Sequence, residues 1–139
     1  MLFTKRLSKL AQCPILCIPS ARLLALIMIG FGLGVLLLPH ALFTKLIAFQ
    51  IIPDQVWSLI FLFIGSMGFI GQQKRNIYLL ILFYFGTAYL LITVAWSLAV
   101  YGAFATMTTY LFIGLSAARQ GTQLVEILFR LQASSKEEQ

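Results

Sequence analysis

The chain has 139 residues, of which 60% are hydrophobic and only 10% are charged, and its formal net charge is +6. A soluble domain of this size is roughly half apolar and about a quarter charged, so the composition argues against an ordinary soluble domain and favours lipid as the main solvent. The basic residues lie outside the long apolar runs instead of forming one basic face, which argues against nucleic acid as a partner.

The N-terminal segment, residues 1–20, is predicted to lie along the membrane interface. Apolar side chains at helical spacing face one side and lysines face the other, namely Leu2, Phe3, Leu7 and Leu10 against Lys5 and Lys9. Pro14 and Pro19 then interrupt the segment before Ser20, a favourable N-cap residue, opens the first helix.

The two cysteines, Cys13 and Cys17, belong to the same segment. They lack the further Cys or His ligands that a tetrahedral metal site needs, and thiols on the predicted cytoplasmic side stay reduced. Apolar packing is therefore the expected use of these side chains, with metal or redox use left as the alternative.

Charge-free runs divide the rest of the chain into membrane-length segments. Residues 23–39 and 55–73 each approach the ~20 residues that a helix needs to cross a hydrocarbon core. Residues 76–118 would make one helix about 65 Å long, so this run is expected to turn once near residues 96–102, where Gly102 relaxes the backbone. The predicted fold is all-α: a polytopic bundle of four transmembrane helices within residues 21–119, at about 22–38, 55–72, 77–95 and 102–118.

The basic residues orient these helices. Nine of the ten lie before helix one, between helices two and three, or after helix four, and only Lys45 lies on the other side. The positive-inside rule makes the nine-residue side cytoplasmic, so both termini are predicted to be inside. Membrane-interface anchors are expected at Lys74 and Arg75 on the cytoplasmic side and at Trp57 and Trp96 on the outer side.

The strap between helices one and two, residues 39–54, contains the only histidine, His40, and ends at Asp54. A general acid–base pair also needs a nucleophile or an activated water within reach, and Ser97 is the only nearby hydroxyl. One histidine also cannot supply both axial ligands of a haem within a single chain. The sequence therefore predicts no catalytic, metal-binding or cofactor-binding residue, and the chain is not expected to be an enzyme.

The predicted spans contain small residues and no ionisable ones. The absence of Asp, Glu, Lys, Arg and His inside them argues against proton-coupled transport and against most membrane enzymes. Glycines recur at spacings that let helix backbones approach closely, and the candidate helix-packing residues are Gly30, Gly34, Gly65, Gly68 and Gly114. They serve either packing within the bundle or association with another membrane protein or a second copy.

The C-terminal segment, residues 120–139, is predicted to be an amphipathic helix followed by a polar tail. Glu126 and Arg130 form an i,i+4 pair on one face, and the other face is apolar, with Leu124, Ile127, Leu128 and Leu131. Such a helix either anchors the chain at the interface or docks a cytoplasmic partner.

Three stretches resemble a class of small four-helix membrane proteins encoded in tailed-phage and prophage genomes. They are RLLALIMIGFGLGVLLLP (22–39), PDQVWSLIFLFIGSMGFIG (53–71) and TMTTYLFIGLSAARQG (106–121). The resemblance covers the four spans, and it rests on their hydrophobic pattern, one outer tryptophan and a terminal A-A-R. It implies a bacterial inner membrane and a role in phage biology, and it carries over no site residue.

Two functions from different classes remain. The first is a non-enzymatic membrane subunit, or a phage-encoded exclusion or assembly factor, which acts by helix–helix or protein–protein contact. The second is a holin-like oligomeric pore or lesion, favoured by the small-residue faces and by the hydroxyls of helix four: Thr106, Thr108, Thr109, Tyr110 and Ser116. The expected partners are the lipid bilayer and a membrane protein or a second copy, with no cofactor.

Overall fold

The computed structural model describes residues 19–37, 52–100 and 102–136. These residues form four helices, which confirms the prediction of an all-α fold with four helices. They are α1 (Pro19–Leu37), α2 (Asp54–Gln73), α3 (Ile77–Val100) and α4 (Phe104–Lys136). The predicted interfacial segment up to residue 18, with Cys13 and Cys17, lies outside the described residues, and so do His40 and Lys45.

The third helix ends later than the sequence indicates. It continues to Val100 instead of stopping near residue 95, and the chain reverses at Gly102, whose φ is +75°. Two bonds close the helix: the Gly102 N–H donates to the Ala99 carbonyl at 3.0 Å, and the Ala103 N–H donates to the Leu98 carbonyl at 3.1 Å. This left-handed cap favours glycine, so Gly102 has its predicted role at the end of the predicted turn region.

The fourth helix is one continuous element of 33 residues, whereas the sequence suggested a span to residue 118 and a separate amphipathic helix from residue 120. The stretch contains no proline, and it crosses the suggested boundary at Gly121, which packs against the ring of Phe85. Glycine lowers helix propensity but does not end a helix that gains a close tertiary contact. Polar residues that look like a boundary therefore lie inside α4.

The helices are arranged as two hairpins. α1 packs along α2 and α3 packs along α4, while α2 and α3 make a smaller contact. α1 also meets α4, where the rings of Phe31 and Tyr110 form an edge contact at 5.8 Å. The core lies where the hairpins meet, and its largest fully buried side chains include Tyr84, Phe61, Phe83 and Met28.

A tight turn joins α2 to α3. Arg75 has a φ of +49°, and the Asn76 N–H donates to the Gly71 carbonyl at 2.9 Å, which closes α2. The Asn76 side chain then caps α3, because its Oδ1 accepts from the Tyr78 N–H at 3.0 Å. The two basic residues of this connection, Lys74 and Arg75, are exposed.

Among the described residues, two helices are long and apolar enough to cross a membrane: Gln55–Gln73 and Ile77–Val100. The apolar part of α1, Ala21–Leu37, is shorter, and α4 does not reach the same apolar content. This is compatible with membrane association. The core helix of a soluble protein meets the same test, and the two cases differ in whether the exposed surface is polar or apolar.

Candidate helix–helix contact surface

Three of the five predicted packing glycines lie in contacts inside the bundle. A Cβ built on Gly65 would meet Ile29 Cγ1 at 2.7 Å, the Ile29 backbone nitrogen at 3.0 Å and the Ala25 carbonyl oxygen at 3.1 Å. One built on Gly68 would meet the ring of Phe83 at 2.6 Å. These glycines allow α2 to approach α1 on one side and α3 on the other.

Gly114 has the same role between α4 and α3. A Cβ there would meet Ile92 Cγ1 at 3.2 Å and the Ala88 carbonyl oxygen at 3.4 Å. Gly121, which lies seven residues (about two turns) further along α4, packs against Phe85. These two contacts set the register of the antiparallel pair, and they place Arg119 beside residues 85–88 of α3.

Sequence reasoning missed the pair formed by Gly32 and Ser58. The Ser58 hydroxyl donates to the Gly32 carbonyl at 2.6 Å, and this bond between α2 and α1 is buried. Gly32 also lies against Leu62, so a side chain would not fit there. A signal was present, because Gly32 lies between Gly30 and Gly34 and Ser58 lies seven residues before Gly65, but it indicates the contact only once the facing helix is known.

Gly30 and Gly34 lie apart from these contacts. No described atom outside their own helix lies within 4 Å of a Cβ built on either glycine. Exposed leucines flank them at positions i, i+7 and i+11, namely Leu26, Leu33 and Leu37. We call these five residues the glycine face of α1. It is an apolar surface that allows close backbone approach and that no described helix covers.

The exposed side of α3 is apolar along its whole length. Large side chains recur at helical spacing and stay accessible: Tyr78, Leu82, Phe85, Tyr89, Ile92, Trp96 and Val100. No charged residue interrupts this stripe. An apolar surface of this extent is rare on a soluble monomer and indicates contact with lipid or protein.

The two predicted tryptophan anchors differ in the structure. Trp96 is 74% exposed at the far end of α3, whereas Trp57 is 6% exposed and packs against Phe61 with ring centroids 6.3 Å apart. Trp57 and Phe61 are four residues apart on α2, so they share the face that packs into the core. Trp57 is therefore a core residue here, and Trp96 is the tryptophan whose ring is available to an interface.

The hydroxyl groups of the described residues are mostly bonded within their own helices. Ser97 Oγ donates to the Thr93 carbonyl at 3.0 Å, and Thr108 and Thr109 both donate to the Ala105 carbonyl. No group of three His, Cys, Asp or Glu side chains in the described part of the chain is placed to hold a metal ion. The interpretation of His40 and Asp54 as a non-catalytic pair stays a prediction, because His40 lies outside the described residues.

A comparison of the chain with protein-family models finds no match, and comparisons with curated proteins and with solved structures find none either. The resemblance to phage-encoded membrane proteins therefore stays a prediction.

Proposed function

We propose that the chain is a small, non-enzymatic integral membrane protein. It acts through contact of its helices with another membrane protein or with a second copy of the chain. The observation that carries this proposal is the glycine face of α1. Glycines in the other helices are occupied by contacts within the chain, whereas Gly30 and Gly34 allow close approach with no described helix against them.

The exposed stripe of α3 supports residence in a membrane. Seven large apolar side chains along 24 residues would all contact water in a soluble monomer. At roughly 25 cal/mol per Å² of apolar surface, exposing these side chains to water forgoes the stabilisation that their burial would give. In a bilayer the same stripe faces lipid tails, and Trp96 lies where an interfacial aromatic ring is favourable.

In the proposed arrangement all four helices belong to the membrane domain, both termini are cytoplasmic, and the membrane is a bacterial inner membrane. The distribution of basic residues supports this orientation, since Lys74 and Arg75 lie at the same end as the start of α1. A membrane subunit or a phage-encoded exclusion or assembly factor fits this description.

Photocrosslinking tests the contact. A photoreactive residue at Leu33, on the glycine face, is expected to yield one adduct of defined mass in intact membranes, and Gly34→Ile is expected to abolish it. A photoreactive residue at Leu82, which is exposed on α3, is the matched control and is expected to give no defined adduct. Equal, diffuse labelling from both positions would contradict the proposal.

The second candidate function is a holin-like pore. The exposed hydroxyl side of α4 favours it, since Thr106, Thr108, Thr109 and Ser116 are accessible. Expression in a bacterium with a dye that reports membrane potential separates the two functions. Abrupt collapse of the potential with loss of viability would support a pore, and an unchanged potential at high expression would exclude it.

A further inference from the structure

A groove lies between α1 and α4. It consists of two adjoining cavities of about 420 and 320 Å³, which share Ile27 of α1 and Ile113 of α4. Each volume lies in the ~300–1,000 Å³ range of ligand pockets. Most of the lining is apolar, from Phe31 and Leu91 in one cavity to Leu23, Leu24 and Phe112 in the other.

One end of the groove is cationic. The second cavity ends at Gln120, and the exposed Arg119 precedes it on α4. Arg119 follows Phe112 by seven residues, so the two side chains leave the helix within about 20° of each other. Among the described side chains of α4, an ion pair joins Arg130 to Glu126 and does not include Arg119. The groove therefore combines an apolar slot with a guanidinium and an amide at one end.

The depth of Arg119 explains why an anion is needed there. It lies beside residues 85–88 of α3, whereas α3 begins at Ile77. The difference of eight or more residues corresponds to about 12 Å or more along the helix axis. If α3 crosses a bilayer, the backbone of Arg119 lies at a depth within the hydrocarbon region. An unpaired charge at that depth is costly. Arginine extends toward the headgroups, and a lipid phosphate is the anion available at that level.

We propose that this groove binds an anionic phospholipid, with one acyl chain along the slot between α1 and α4 and the phosphate at Arg119. The inference rests on the membrane residence proposed above. The groove adjoins the glycine face of α1, since Leu23 lies seven residues before Gly30 and Ile27 lies seven residues before Gly34. The apolar walls account for the chain, and Arg119 with Gln120 accounts for the headgroup.

Native mass spectrometry of the full chain tests the site. The protein is delipidated in a neutral detergent and titrated with phosphatidylglycerol or with phosphatidylcholine of the same acyl chains. Ser116→Phe fills the slot, because Ser116 lines it and is exposed. Thr108→Phe introduces the same ring at an exposed position outside the lining. Arg119→Gln removes the headgroup charge, and Arg130→Gln is its control on the same helix.

The wild-type chain and both controls are expected to retain one phosphatidylglycerol in preference to phosphatidylcholine. Ser116→Phe is expected to lose both lipids, and Arg119→Gln is expected to lose the preference by about fivefold. Equal retention by Ser116→Phe and Thr108→Phe would overturn the proposal. So would a dimer that Ser116→Phe disrupts, since a second copy would then occupy the groove.

Helicity and thermal unfolding of each variant show whether a lost lipid reflects a lost fold. Carbonate extraction of cell membranes separates this proposal from the one on which it rests: a chain that is released by carbonate contradicts membrane residence. A chain that stays in the membrane and binds no lipid in the groove contradicts only the groove.

Discussion

The two sides of α1 contain the same residue type and use it differently. On the side toward α2, Gly32 lies against Leu62, and α1 backbone atoms at residues 25 and 29 approach Gly65. On the glycine face, Gly30 and Gly34 lie two residues from Gly32, and no described helix approaches them. Glycine spacing alone therefore does not show which side packs within the chain. One side of this glycine-rich helix packs against α2, with Gly32 and Gly65 in the contact, and we call this contact the seam. The other side is the glycine face, which no described helix covers.

The largest expected effect is at the seam, with Gly65→Ala. The added methyl group would meet the Ile29 backbone nitrogen at 3.0 Å and the Ala25 carbonyl at 3.1 Å, and backbone atoms cannot rotate away as a side chain does. We expect the free energy of unfolding in detergent to fall by about 3 kcal/mol, because α1 and α2 must separate.

Gly34→Ala is the matched control for this change, since a methyl group there has open space and alanine favours the helix. Its midpoint in a reversible SDS titration should equal that of the wild type or exceed it slightly. Similar losses of stability in the two variants would remove the distinction between the seam and the glycine face.

A smaller effect is expected from Ser58→Ala, which removes the hydroxyl group that bonds to the Gly32 carbonyl across the seam at 2.6 Å. A buried hydrogen bond of this kind contributes about 1 kcal/mol, and its loss leaves the carbonyl without that donor. Thermal unfolding followed by circular dichroism would measure the loss. An unchanged melting temperature would mean that the seam depends on shape alone.

The smallest effect, with the opposite sign, is expected from Thr87→Val. The Thr87 side chain is fully buried in α3, and its hydroxyl oxygen has no hydrogen-bond partner among the described residues. Replacing this group with a methyl of the same shape should be neutral or should stabilise the protein by less than about 1 kcal/mol. A clear destabilisation would reveal a hydrogen-bond partner for the Thr87 hydroxyl. The comparison with Ser58→Ala would then no longer be one between a bonded hydroxyl and an unbonded one.

Hydrophobic runs and turn chemistry were enough to predict the four apolar helices, although not where α3 ends or that α4 is continuous. Gly102 ends α3 through local bonds, which is why the sequence indicates a turn there. Whether the Trp57 side chain faces the core or the outside of the bundle was not predictable in the same way. Whether its face of α2 meets lipid or α1 depends on how the hairpins pack, and a tryptophan near a helix end fits both environments.

The sequence by itself determined the all-α fold and the approximate positions of the four apolar helices, because apolar run length and turn residues act within a few positions of one another. Only the tertiary structure decided that α4 is continuous beside α3, that Arg119 lies level with residues 85–88, and that Gly30 and Gly34 are not used within the described bundle. These properties depend on the register between helices far apart in the chain. Register follows from how side chains of two surfaces fit, and one helix does not contain that information.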